Sequence, residues 1–355
     1  MGLMDKLKKN SKIEDTSILN ESKLFSDKDM VVTEVPMINV ALSGRLDGGL
    51  TPGLTVLAGP SKHFKTSFAL LMASAYLKKY PDAIMLFYDS EFGSPQAYFE
   101  TFGIDTGRVL HTPVMNVEEL KFDMMSQLEN IDREDKVIVV IDSIGNLASK
   151  KEVEDAINEK SVADMTRAKS LKALFRMVTP YLTKKDIPLL AINHTYMEIG
   201  LFPKAIVGGG TGIYYSADNI WILGRRQNKT GTEITGYDFV INVEKSRYVK
   251  EKSQIPISVS WDAGIERFSG MFDLALALGY ITKSGSRYQL TDLETGEIDD
   301  KKIWRKDIGD DFWTKLIEHK PFAEAIQKQY MIGYKAELGE NFLEDIPLPD
   351  EEEEV

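Results

Sequence analysis

The stretch T-V-L-A-G-P-S-K-H-F-K-T-S (55–67) decides the fold of this chain. Residues 55–59 are a short apolar run typical of a buried strand, and a helix-forming sequence runs from Thr66 to Lys79. The loop between them ends in Lys65 and Thr66. Strand, loop and helix in this order predict a phosphate-binding loop, in which backbone N–H groups and the helix N-terminus surround phosphate oxygens.

The loop departs from the G-x-x-x-x-G-K-[ST] pattern at Phe64, where a second glycine is expected. A residue with a side chain costs roughly 1–2 kcal/mol where φ is positive, so either the loop is altered or the strain is tolerated. We predict that Lys65 reaches the β- and γ-phosphates and that Thr66 ligates Mg²⁺. A plain turn rich in glycine and lysine is the alternative. The residues predicted to bind nucleotide here are Gly59, Pro60, Ser61, Lys62, His63, Phe64, Lys65, Thr66 and Ser67.

Further apolar runs follow the loop, and the earlier ones alternate with helical stretches such as Ser161–Val178. The runs are continuous, which is typical of strands covered on both faces in a parallel sheet. We therefore predict an α/β fold with a mostly parallel sheet flanked by helices. The runs lie at 83–89, 137–142, 187–193, 219–224 and 239–243.

Composition divides the chain into four segments. Residues 1–30 are polar, with small apolar groups at helix-like spacing, and are predicted to form a small arm; residues 31–269 hold the α/β core. Residues 270–340 contain glycine-rich turns and then a helical segment, 312–332, broken at a proline. They predict a small α+β C-terminal domain, and we expect the acidic residues 341–355 to be disordered.

Composition also excludes two classes of protein. No apolar stretch approaches the ~20 residues of a membrane helix, and the start M-G-L-M-D-K lacks a signal-peptide core. The absence of cysteine excludes a disulfide framework, so we expect a soluble intracellular protein. The formal net charge is −12, and the last twelve residues carry seven carboxylates and no cation. This tail is either a solubilising end or a polyanion that competes with nucleic acid for basic sites.

Polar residues follow three more of the predicted strands. Asp142 ends V-I-V-V-I-D, Glu91 lies just beyond F-Y-D, and His194 follows A-I-N. Because ligands of open α/β sheets bind at the carboxyl ends of the strands, Asp142 is predicted to hold Mg²⁺ through water and Glu91 to orient the attacking water. His194 is predicted to donate to the γ-phosphate. Taken singly, each residue is also explained by a turn, a solvated loop or an ordinary strand end.

Lys169, Lys172 and Arg176 recur at spacings of three and four, which places the three cations along one helix face. A solvated charged face is the usual explanation. A stripe that contacts phosphates is the alternative, since a local basic surface, and not the net charge, decides phosphate binding.

Ordered motifs along the chain resemble the RecA superfamily of recombinases and, within it, the UvsX branch found in T-even phages. They are G-P-S-K-x-F-K, F-Y-D-S-E-F-G, I-D-S-I-G-N-L-A-S-K-K-E, D-M-T-R-A-K, A-I-N-H-T-Y, V-G-G-G-T-G and N-V-E-K-S-R. The similarity covers about residues 15–335, and Phe64 belongs to the pattern of that phage branch. It implies a RecA-type ATPase core in which Glu91, Lys65 and His194 are catalytic, His194 standing where cellular RecA proteins have a glutamine.

The resemblance also implies roles for residues further along the chain. Tyr98 falls where the family stacks adenine, although a packed helix-face tyrosine is the alternative. Lys245 and Arg247 fall where the family sends two cations across the subunit interface onto the neighbouring ATP, and arginine suits a bidentate grip on phosphate. Tyr215 falls where the family packs an aromatic ring against the next subunit.

Two segments, 150–164 and 195–212, match the DNA-binding loops of the family. With these loops on either side, the cationic stripe is better explained as a DNA contact that tracks the backbone and is sensitive to salt. Glycine backbone in the second loop can approach a phosphate closely. The residues predicted to bind DNA are Lys169, Lys172, Arg176, Lys204, Gly208, Gly209 and Gly210.

The function implied by the resemblance is that of a DNA-dependent ATPase that uses ATP and Mg²⁺. It would form helical filaments on single-stranded DNA and catalyse pairing and strand exchange with duplex DNA in recombination, repair and replication. Implied partners are further copies of the chain, bound through the N-terminal arm (1–30) and residues 31–41, a phage recombination mediator and a single-strand-binding protein. No membrane is implied, and the implied location is the cytoplasm of the host bacterium. The alternatives are a hexameric helicase with a RecA core and a non-hydrolysing DNA-coating or regulatory paralogue, the latter suggested only by Phe64.

Overall fold

The computed structural model describes residues 2–13, 15–22, 29–159, 166–198, 203–230 and 233–333. The strands are β1 (Gly53–Ala58), β2 (Ile84–Asp89), β3 (Val109–Pro113), β4 (Val137–Asp142), β5 (Pro188–Asn193), β6 (Thr195–Met197), β7 (Ala205–Val207), β8 (Asn219–Thr230), β9 (Glu233–Ser246), β10 (Gln254–Ser260), β11 (Gly264–Ile265), β12 (Ile281–Ser284) and β13 (Arg287–Leu290). The helices are α1 (Leu3–Asn10), α2 (Pro36–Ser43), α3 (Lys65–Lys79), α4 (Gln96–Thr101), α5 (Val117–Asn130), α6 (Lys150–Ile157), α7 (Thr166–Lys184), α8 (Thr211–Ser216), α9 (Met271–Ala277), α10 (Asp310–Glu318) and α11 (Lys320–Tyr330).

Nine strands form one sheet in the order β11-β10-β9-β8-β1-β5-β4-β2-β3. The six strands from β8 to β3 in this order are parallel, and β9, β10 and β11 extend the sheet in antiparallel fashion beyond β8. Every residue of β1, β4 and β5 is buried, because helices cover both faces of the parallel part. The prediction of a mostly parallel α/β sheet flanked by helices is confirmed.

Alternate residues of the strands supply two hydrophobic cores, one on each face of the sheet. On one face, Val56 and Val139 pack with the buried residues of α5 and α7. On the other face, Leu57 and Val140 pack with α2 and α3, and the same core continues into α9, α10 and α11. The C-terminal helices are thus packed onto the sheet face that carries α3, the helix that follows the phosphate-binding loop.

The helical segment near the C-terminus is broken, as predicted. α10 ends at Glu318 and α11 begins at Lys320, so that Pro321 lies in the first turn of α11. A proline is tolerated there because its missing N–H would have had no partner within the helix.

The N-terminal segment contacts the core through an ion pair of 2.6 Å between Asp15 and Lys184 of α7. Among the described helices, none has the length and apolarity required to cross a membrane. The acidic residues 341–355 lie outside the described part of the chain.

Candidate nucleotide and DNA site

The loop between β1 and α3 keeps the phosphate-binding backbone despite Phe64. Phe64 directly precedes α3 and has φ 55° and ψ 23°, the left-handed conformation that favours glycine. The strain expected of a residue with a side chain is therefore tolerated, and the loop is not altered to avoid it. The half-buried ring of Phe64 lies 5.1 Å from that of Phe239 on β9.

Lys65 is held beneath this loop. Its ammonium donates to the carbonyl oxygen of Pro60 at 2.8 Å, and the side chain is buried. Burial lowers the pKa of Lys65, while the carboxylates of Glu91 and Asp142 raise it. A buried ammonium whose hydrogen-bond partner is a carbonyl can bind a phosphate, which would replace this neutral partner by a charged one.

Thr66 and Asp142 meet at the adjoining strand end. The Thr66 hydroxyl donates to Oδ2 of Asp142 at 2.8 Å, whereas the buried Oδ1 has no hydrogen-bond partner among the described residues. Burial raises the pKa of Asp142 to about 6; the Thr66 hydrogen bond lowers it, and the charges of Glu91 and Asp89 raise it. An unpartnered carboxylate oxygen beside a hydroxyl fits Mg²⁺, which prefers oxygen ligands.

We expect the binding of Mg²⁺–nucleotide to weaken as the pH falls from 7 to 5. The pKa of Asp142 is raised to about 6, and its proton must leave before the carboxylate supports Mg²⁺. Below that pH the affinity should fall by up to about tenfold per unit. Titration calorimetry with Mg²⁺–ADP tests this, and an Asp142→Asn protein is the control, with weak binding that depends less on pH. Equal wild-type affinity at pH 5 and 7 would contradict it.

The raised pKa of Asp142 has the opposite consequence for the stability of the nucleotide-free protein, which should fall and not rise as the pH increases. Between pH 4 and 6 the folded chain retains the Asp142 proton that the unfolded chain has released, since burial raises the pKa only in the folded state. The contribution of this residue to the free energy of unfolding is therefore present below pH 4 and is lost as the pH rises through 6.

Glu91 lies two residues beyond β2 and faces the same site. Its Oε1 accepts a hydrogen bond from the Ser143 hydroxyl at 2.7 Å and lies 3.2 Å from Nε2 of His194. Oδ1 of Asp89 accepts the backbone N–H of Glu91 at 3.0 Å and so fixes the turn that carries it. The Glu91 side chain is 37% exposed, which leaves it accessible to a water molecule.

His194 is joined to the glycine turn that follows. The backbone N–H of Gly208 donates to the His194 carbonyl at 2.9 Å, and the Asn193 amide donates to the Gly208 carbonyl at 2.7 Å. Sequence reasoning missed Gly145, where a Cβ would lie 2.2 Å from the His194 ring. The glycine in the motif I-D-S-I-G-N was the sequence feature that could have indicated this position.

Tyr98, on α4, lies beside the first turn of α3. Its hydroxyl is 2.5 Å from that of the buried Ser67. It borders a groove of about 1040 Å³ whose lining includes Phe64, Phe102 and Ile265. A largely apolar groove next to the phosphate-binding loop suits an aromatic base. No sequence pattern indicated Ile265, which joins this groove only through the fold.

Lys245 and Arg247 are not brought to the loop of their own chain. Ser246 lies between them, and pairing through β8 places it beside Thr55 of β1 in the register of the sheet. Thr55 is about 13 Å along β1 from the loop. Lys245 donates to the Ala217 carbonyl at 2.8 Å, and Arg247 pairs with Asp218 at 2.5 Å. These cations therefore lie at the opposite ends of the strands from the other predicted nucleotide-binding residues.

Three of the predicted DNA-binding cations lie on α7, and the predicted glycine turn lies beside this helix. Lys169, Lys172 and Arg176 are all exposed, and so is Lys204. The glycine turn lies against α7, since a Cβ at Gly209 would be 3.2 Å from Leu171. A Cβ at Gly212, at the start of α8, would lie 2.7 Å from Lys172, so this turn is also packed against the helix that carries the three cations.

Parts of the two predicted DNA-binding segments have regular secondary structure. Residues 150–157 form helix α6, whose start is fixed by a capping box between Ser149 and Glu152, so this part of the first segment is a helix and not a loop. In the second segment, β6 and β7 pair in antiparallel fashion and α8 begins at Thr211. Residues 160–165 and 199–202 lie outside the described residues.

A second cationic surface was missed in the sequence analysis. The run K-K-I-W-R-K (301–306) could have indicated this surface. Its four cations and Trp304 are exposed. The guanidinium of Arg287 lies 5.2 Å from the centre of the Trp304 ring. Among the described residues, the cations of the run form no salt bridge with a carboxylate, so their charge is available to a polyanion. The four cations are Lys301, Lys302, Arg305 and Lys306.

Comparison with known proteins shows which proteins this chain is similar to. The model of the RecA N-terminal domain matches residues 8–266, and that of the C-terminal domain of the bacteriophage T4 recombination and repair protein matches residues 268–326. The chain is 52% identical, over 93% of its length, to the recombination and repair protein of Enterobacteria phage T4, covering 86% of that protein. It is 26% identical to protein RecA of Chloroherpeton thalassium, over 87% of this chain and 85% of that protein.

Proposed function

Because this chain belongs to the RecA family of recombinases, we propose that it is a DNA-dependent ATPase that assembles into filaments on single-stranded DNA and exchanges strands with duplex DNA. The proposal rests on one observation: the predicted nucleotide-binding groups are divided between the two opposite ends of the strands of one sheet. Lys65, Thr66, Asp142 and Glu91 lie at the carboxyl ends of the parallel strands. Lys245 and Arg247, at the end of β9 and just beyond it, lie at the opposite ends of these strands. A site divided in this way is complete only when a second copy is stacked on the first.

Each group at the strand ends beside the phosphate-binding loop has a distinct chemical role. Lys65 would bind the β- and γ-phosphates, and Thr66 with Asp142 would hold Mg²⁺, which neutralises charge on the transferred phosphoryl group. Glu91 would orient the attacking water and accept its proton. His194 contacts Glu91 directly, so a bound γ-phosphate would compete for the same imidazole.

The contacts of His194 also suggest how nucleotide controls DNA binding. Movement of His194 would displace Gly208, to which its carbonyl is hydrogen-bonded, and with it the turn on α7. An order–disorder change in such a loop needs no large domain motion. An unchanged ATP dependence of single-stranded DNA affinity in a His194→Ala protein would contradict this route.

Electron microscopy with single-stranded DNA and a slowly hydrolysed ATP analogue tests the proposal, together with phosphate release measured with and without DNA. We expect helical filaments and hydrolysis stimulated by DNA. Closed hexameric rings that unwind a forked duplex would favour the helicase alternative. DNA binding without stimulated hydrolysis would favour the non-hydrolysing paralogue, although Phe64, its only support, leaves the loop backbone intact.

We expect the α7 stripe to contribute to single-stranded DNA binding through charge. Replacing Lys169, Lys172 and Arg176 by alanine should lower the affinity and reduce the salt slope by roughly 0.7 for each phosphate that is no longer neutralised. The replacements leave the core unchanged because all three side chains are exposed. Fluorescence anisotropy at several salt concentrations measures this, with the exposed Lys320→Ala as control. An unchanged salt slope would contradict the assignment.

The surface at 301–306 is proposed as a contact for duplex DNA. Alanine at Lys301, Lys302 and Lys306 should weaken duplex binding in the same assay while single-stranded DNA binding is retained. Equal loss for both forms would contradict a separate duplex contact. Similarity to the phage T4 protein further supports, as proposals, a recombination mediator and a single-strand-binding protein as partners in the cytoplasm of a host bacterium.

A further inference from the structure

The phosphate-binding loop contains two strained residues. Lys62 and Phe64 have φ of 61° and 55°, although neither is a glycine. A left-handed backbone is disfavoured for a residue with a Cβ by a factor of about 5–30. Such a conformation persists only where the surrounding structure holds it. Because Lys65 directly follows Phe64, the position of its ammonium depends on that support.

One support is a hydrogen bond from β8. Nη1 of Arg225 donates to the carbonyl oxygen of Lys62 at 2.9 Å. The guanidinium also lies 4.5 Å from the centre of the Tyr237 ring on β9, which fixes its orientation. Arg225 is exposed, so its contribution comes from these two contacts and not from burial in the core.

The other support is a ring cluster centred on Phe239. This buried residue is the direct cross-strand partner of Arg225, so both side chains lie on the same face of the sheet. The Phe239 ring lies 6.4 Å from that of His63, 5.1 Å from Phe64 and 5.9 Å from Phe68 in α3. One side chain therefore contacts the end of the loop and the first turn of the helix.

We propose that Arg225 and Phe239 are positioning residues for nucleotide binding, which hold the loop in the conformation that a second glycine would otherwise adopt without strain. The hydrogen bond fixes the carbonyl of Lys62, and the ring contact fixes the side chain of Phe64. This inference rests on the proposed binding of nucleotide at the loop. It predicts that the contribution of Phe239 depends on the residue at position 64.

The first experiment uses an exposed residue whose loss leaves the fold intact. Binding of fluorescent ADP with Mg²⁺, without DNA, should be about 5–10-fold weaker in Arg225→Ala than in the wild type. Arg226→Ala is the matched control, since Arg226 is also exposed but points to the other face of β8. Equal affinity of the two variants would overturn the role of Arg225.

The second experiment is a double-mutant cycle between positions 64 and 239. Phe239→Leu should weaken ADP binding about tenfold in the wild type, and no more than about twofold in a Phe64→Gly protein, whose loop needs no ring support. Phe322→Leu, in the C-terminal helices and also fully buried, controls for loss of core packing. The same factor in both backgrounds would show a general packing effect and overturn the role of Phe239. If the wild type itself bound no ADP, the proposed function would fail instead.

Discussion

Replacing Glu91 by glutamine is expected to lower DNA-stimulated ATP hydrolysis by about 10²–10⁴-fold, while ATP and single-stranded DNA still bind. The amide retains an oxygen that can accept the hydrogen bond from Ser143, which is 2.7 Å in the wild type. It cannot take a proton from water. The chemical step should therefore be lost without the binding steps.

Phosphate release and fluorescence binding assays separate the two effects. Glu324→Gln is the control for loss of one carboxylate, because Glu324 is an exposed acid on α11, a helix that carries none of the predicted site residues. Filaments of the Glu91→Gln protein should form with ATP and persist, since nucleotide is not consumed. Hydrolysis within a fewfold of the wild type would exclude Glu91 as the general base.

Replacing Arg247 by alanine should lower filament-dependent hydrolysis by roughly 10³-fold or more, as removal of an arginine finger supplied in trans does. Binding of ADP to the isolated protein should remain, because Arg247 is distant from the loop of its own chain. The substitution also leaves the buried Asp218 without its cationic partner. Arg247→Lys keeps that charge but loses the bidentate grip, so a similar loss of hydrolysis in both variants points to phosphate binding.

Mixing two inactive proteins tests whether Arg247 acts on the neighbouring nucleotide. Lys65→Ala protein has no working loop but an intact Arg247, and Arg247→Ala protein has the converse defect. In a random equal mixture, about one interface in four joins an intact loop to an intact arginine, and hydrolysis should reappear at that level. A mixture as inactive as its components would contradict a site shared between protomers.

Much of this protein follows from residues that are adjacent in sequence. The run from Thr55 to Thr66 specifies strand, loop and helix, and continuous apolar runs specify a parallel sheet. Because parallel strands present their carboxyl ends at one edge, the positions of Glu91, Asp142 and His194 near the loop were predictable. The position of the three α7 cations on one helix face was also predictable, because helical periodicity depends only on residues that are near one another in sequence.

The tertiary structure alone decided how these residues are supported and charged. Phe64 is supported by Phe239, which is distant in sequence, and Arg247 is separated from its own loop because β9 runs antiparallel to β8. The raised pKa of Asp142 arises from burial, and its Oδ1 has no hydrogen-bond partner in the part of the chain that the structure describes. Burial, desolvation and contacts between distant strands exist only once the sheet is assembled, whereas periodicity and loop chemistry are properties of neighbouring residues and can be read from the sequence.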